Sequence, residues 1–75
     1  MTKYYEYQNT YYKLDAEESK LESVSIIPEN IGISKIVSSS VVNVILKAIE
    51  EDKWLEIGQI YYQQKRDEAY KLLET

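Results

Sequence analysis

The amino-acid sequence predicts a small α+β domain: an N-terminal three-stranded antiparallel meander packed on two C-terminal helices. Three observations point there. Tyrosines crowd residues 3–14 on either side of a polar break, residues 21–26 alternate, and from Ser34 onward apolar residues recur with a helical period. An all-α three-helix bundle competes with it, because Tyr4, Tyr7, Tyr11 and Leu14 also fit a helical stripe.

Strands are expected near residues 3–8 and 11–15, with Gln8-Asn9-Thr10 as the break between them. A turn centred on Asn9-Thr10 pairs Tyr7 with Tyr12, Tyr5 with Leu14 and Glu6 with Lys13. Cross-strand pairs of these kinds contribute about 0.2–1 kcal/mol each. A longer loop, Gln8 to Tyr11, keeps the same face pattern. Tyr5, Tyr7 and Tyr12 then point inward, and Tyr4 and Tyr11 are left exposed. Asp15 and Glu18 have the spacing of a capping box. A third strand is expected over 21–27, ending before Pro28, and residues 28–33 read as a linker.

The rest reads as a helical segment, 34–75. In the first helix, 34–51, Val37, Val41, Val44, Ile45, Ala48 and Ile49 share a face that Val42 and Leu46 widen. So broad an arc calls for more than one neighbour, and its β-branched residues make packing, not propensity, its support. The second helix, 54–74, has its apolar side rotated away from that of the first. A break near Glu51-Asp52-Lys53 follows, with Asp52 as N-cap. Trp54 to Ile57 can alternatively form a short strand, starting the helix near Gly58.

Composition excludes more than it identifies. At 75 residues the chain is one small domain, burying only about 60% of its unfolded surface. Without Cys or His it lacks thiolate ligands, the commonest metal ligand and the commonest general base. The runs Glu17-Glu18 and Glu50-Glu51-Asp52 lack the spacing of a calcium loop. Ser38-Ser39-Ser40 has no base to activate it, and Gly32 and Gly58 make no phosphate loop. No catalytic, cofactor or metal residues are therefore assigned, and a non-enzymatic role is expected. Net charge is −4 with scattered bases, which disfavours nucleic acid and anionic membranes. The longest uncharged run, Ile36 to Leu46, has eleven residues, short of the ~20 that span a bilayer. With no secretory signal pattern, a cytoplasmic location is the expectation.

The run Trp54-Leu55-Glu56-Ile57-Gly58-Gln59-Ile60-Tyr61 resembles the first helix of a tetratricopeptide repeat, with its W-x₂-L-G-x₂-Y signature. The resemblance implies a helix from Trp54, with Gly58 letting two helices approach and the aromatics packed between them. Lys65-Arg66 stands where turn residues belong, and residues 17–50 hold no second copy. The residues themselves favour Trp54 and Tyr61 as ordinary packing residues of an amphipathic helix. Tyrosine suits a half-wet contact surface, so Tyr4, Tyr11, Trp54, Tyr61, Tyr62 and Tyr70 are the candidate partner-binding residues. The expected function is protein binding by surface contact, as an adaptor, small inhibitor or homodimer. The alternative is an acidic inhibitor that imitates nucleic-acid charge at a partner's basic site.

Overall fold

The computed structural model describes residues 1–74. Strands β1 (Thr2–Tyr7), β2 (Thr10–Asp15), β3 (Lys20–Ile27) and β4 (Asn30–Val37) are followed by α1 (Ser39–Glu51), β5 (Leu55–Ile57) and α2 (Gln59–Leu73). The α+β class is as expected, but the sheet has five antiparallel strands, not three, in the order β4-β3-β2-β1-β5. The helix-only alternative is gone, since residues 2–37 are strands and tight turns.

The first turn is Gln8-Asn9 alone, with φ of 49° and 62°. Two consecutive residues at positive φ make the hairpin turn whose twist matches the flanking strands. The register is therefore Tyr7↔Thr10, Tyr5↔Tyr12 and Tyr4↔Lys13, displaced by two residues from the expected pairing. An even displacement preserves faces, so Tyr5, Tyr12 and Leu14 still point the same way.

The linker expected at 28–33 shrinks to the two residues Pro28-Glu29, and the segment expected to open a helix at Ser34 is strand to Val37. Ile31, Ile33, Ile36 and Val37 are β-branched and suit a pleated surface. Pairing with β3 along the whole length of β4 decides the matter. The helix begins only where Ser38 can cap it: its backbone is extended, and its Oγ accepts the Val41 N–H at 3.3 Å. Asp52 is the C-cap of α1, not the N-cap of the next helix; its N–H donates to the Ala48 carbonyl at 2.8 Å. Lys53, at φ 51°, then reverses the chain. The short-strand reading of Trp54 to Ile57 is the one realised in β5, and α2 starts after Gly58.

Helices cover both faces of the sheet. On one, Tyr5, Leu14 and Leu21 meet Val42 of α1, with Tyr12, Val41, Ile45, Ile49 and Trp54 around them. On the other, Tyr11 and Val24 meet Tyr62 and Ala69 of α2, with Tyr4, Ile26, Ile33 and Ile57. This layering overturns the expected exposure of Tyr11, which is only 6% accessible. Alternation sends Tyr4 and Tyr11 to the face opposite Tyr5 and Tyr12, and α2 closes that face. Val44, expected in the core, is 66% exposed. Among the described residues helix α1 has the sheet beneath it and no element above, so its wide apolar arc is covered along Val41, Val42, Ile45 and Ile49, and Val44 and Leu46 face solvent. Among the described residues no helix is long and apolar enough to cross a membrane.

Candidate functional site

The sheet has two edges, and they differ. At β5 the edge is three residues long. At β4 it is eight residues long, unbroken by bulge or proline, and paired on one side only. The Ile27↔Asn30 pair closes a two-residue turn, which makes it a hydrogen-bonded pair. Alternation then fixes the remaining residues. Asn30, Gly32, Ser34 and Ile36 bond to β3, whereas the N–H and C=O groups of Ile31, Ile33, Lys35 and Val37 point outward. Natural proteins blunt such an edge with charges, prolines or a covering element. Here the one charged side chain, Lys35, leans over the sheet, its Nζ 3.7 Å from Glu22 Oε2. Ile36 is exposed and Val37 is 72% exposed at the end of the strand.

The predicted partner-binding residues do not gather into one surface. Tyr62 is 1% accessible and Tyr11 is buried, so both belong to the core. Tyr4 packs on Tyr62 with ring centroids 5.2 Å apart. Trp54 is half-buried and lies over Tyr7 and Tyr12, at 5.0 and 4.5 Å. That stacking replaces the helix that the tetratricopeptide resemblance implied, because Trp54 precedes a strand. Tyr61 and Tyr70 are 40% and 42% exposed. Each is engaged inside the protomer, Tyr61 edge-on to Tyr11 of the sheet and Tyr70 beside Arg66 on the same helix. The residues that sequence reasoning missed, Ile31, Ile33 and Lys35, carried a signal in the alternating run Asn30–Val37.

One polar cluster holds α2 to the sheet. Row pairing places Lys35, Glu22, Lys13 and Tyr4 side by side across four strands. The Tyr62 hydroxyl donates to Glu22 Oε1 at 2.7 Å, and Arg66 Nε lies 3.0 Å from the same oxygen. Burial, then the bond to Glu22, pushes the Tyr62 hydroxyl far above its ordinary value. A cavity of about 190 Å³ beside it is lined by Lys13, Glu22, Lys35, Gln59, Gln63 and Arg66, among others. Glu22 is already engaged by three donors or cations, which suits a fastener better than a reactive group. No group of three or more His, Cys, Asp or Glu able to hold a metal occurs among the described residues. Comparison with protein-family models, curated proteins and solved structures gives no match.

Proposed function

We propose that this protein is a non-enzymatic contact module that binds another polypeptide through the outer edge of β4. The observation that carries the reading is the unguarded edge: an eight-residue strand with one free side, ending in exposed Ile36 and Val37. An added strand satisfies the outward backbone groups and covers that apolar margin. The tyrosines then serve the interior, fixing the sheet on which the edge is presented. Charge imitation has less support, because the acids do not converge. Glu17-Glu18 adjoins the start of α1, where the Ser38 N–H donates to the Ser19 carbonyl. Glu50-Glu51-Asp52 lies at its other end, about 20 Å away for a helix of this length.

Amide hydrogen exchange in the presence of strand-forming peptides selected from a displayed library tests the reading. Protection confined to the amides of Ile31, Ile33, Lys35 and Val37 is expected. Selected ligands that leave those amides unchanged would overturn it.

A further inference from the structure

We infer that the strand received by β4 is β4 of a second copy, paired antiparallel about a two-fold axis midway between the two Gly32 residues. The inference rests on the edge-contact reading above and names its partner. Gly32 is the first ground. A glycine inside a strand weakens it, by about 0.5–1 kcal/mol relative to alanine, and nothing within the protomer requires one here. Its φ is not positive, and an added Cβ would meet nothing within 4 Å. An interior strand glycine often marks a place where another backbone approaches closely.

Charge is the second ground. Glu29 lies three residues before Gly32 and Lys35 three after it. A two-fold midway between the two Gly32 residues therefore sets each Ile31 opposite the partner's Ile33, and brings each Glu29, in the turn before β4, toward the end of the partner strand that carries Lys35. Opposite charges across strands stabilise, and like charges directly opposite destabilise. The hydrogen-bond phase agrees: Ile31 and Ile33 both direct their N–H and C=O groups outward, as a bonded antiparallel pair requires. Both copies of α2 lie on one side of the joined sheet.

Sedimentation equilibrium from micromolar to millimolar concentration provides the test. A monomer–dimer equilibrium is expected for the native chain. E29K changes an exposed turn residue and brings Lys toward Lys at both ends of the interface, weakening the dimer roughly tenfold. E29K/K35E reverses both charges and recovers most of the native affinity, with thermal melts of each variant confirming a folded protomer. A monomer throughout the range overturns the inference, and so does a dimer indifferent to E29K. If the chain stays monomeric while selected peptides protect the outward amides, self-pairing falls and the edge-contact reading stands. If neither event occurs, both fall.

Discussion

The two faces of the sheet are closed by different means. Helix α1 is rich in valine and isoleucine, yet it approaches chiefly β3 and leaves Val44 and Leu46 in solvent. Helix α2 is mostly polar, yet it packs across β1, β2, β3 and β4. Its grip comes from two small patches of complete burial, Tyr62 and Ala69, and from Arg66 and Lys65 laid along the sheet. Arg66 reaches Glu22, and Lys65 sits 5.5 Å from the rings of both Tyr11 and Tyr61. Each face keeps buried polar atoms without a hydrogen-bond partner, Ser25 Oγ and Trp54 Nε1 on the α1 side and, on the α2 side, Arg66 Nε, which is held by charge beside Glu22. Apolar content thus measures poorly how firmly a helix is held here. Fit across the sheet and the Tyr62–Glu22 bond decide it.

The largest test of that contrast is Tyr62→Ala. Removing the fully buried ring and its bond to Glu22 should cost about 3–5 kcal/mol in urea unfolding. Leu14→Ala on the opposite face should cost about 2–3 kcal/mol, the low end of its class, because a lightly seated α1 can settle into the space. Equal costs would erase the distinction between the faces. Tyr62→Phe isolates the polar part, with an expected loss of about 1–3 kcal/mol from leaving Glu22 short of a donor. A double-mutant cycle with Glu22→Gln should return a coupling of about 0.5–3 kcal/mol, and additive single losses would deny the fastener.

Alkaline pH tests the same hydroxyl. The folded-state values of Tyr11, Tyr12 and Tyr62 are all raised above 10.0, chiefly by burial. The folded state therefore holds these protons more tightly than the unfolded chain does. Their contribution is complete below about pH 10 and is lost as pH rises beyond it. Urea midpoints should fall on that limb, and Tyr62→Phe should flatten most of the fall. The smallest effect is expected at Val44→Asp, within about 0.5 kcal/mol, because the side chain is already in water. An unfolded Val44→Asp protein would show that α1 is buried against something more than this sheet.

How far the sequence could be read follows from which forces were local. The hairpin faces of Tyr5, Tyr12 and Leu14, the strand at 21–27 and the break after Glu51 all rest on alternation or turn chemistry, and all are present. The Asp15–Glu18 spacing also reappears, as the Glu18 N–H donating to Asp15 Oδ1 at 3.2 Å. What escaped was set across the sheet. Ile31 to Val37 fits either period, and only the neighbouring β3 makes it a strand. Tyr11 looked exposed because nothing near it in sequence announces α2 above it. Val44 looked buried because periodicity finds an apolar face without saying how much neighbour exists to cover it. For the β4 edge, the alternating run was visible but not its place as the last strand of the sheet, which arises only when β5 returns to the opposite side.

That return also imposes an order in time. Strands β1 to β4 are neighbours in sequence as well as in the sheet, so their loops close at small entropic cost, whereas β5 must wait for α1 to span the interval. The chain carries one tryptophan, and it stands at the entrance to that late strand, between the rings of Tyr7 and Tyr12. Refolding followed by Trp54 fluorescence therefore times the arrival of β5, and a tryptophan signal trailing the formation of the hairpins is the signature expected. In that order of events β1 is left unpaired on its outer side until β5 arrives, whereas β4 stays so in the finished sheet.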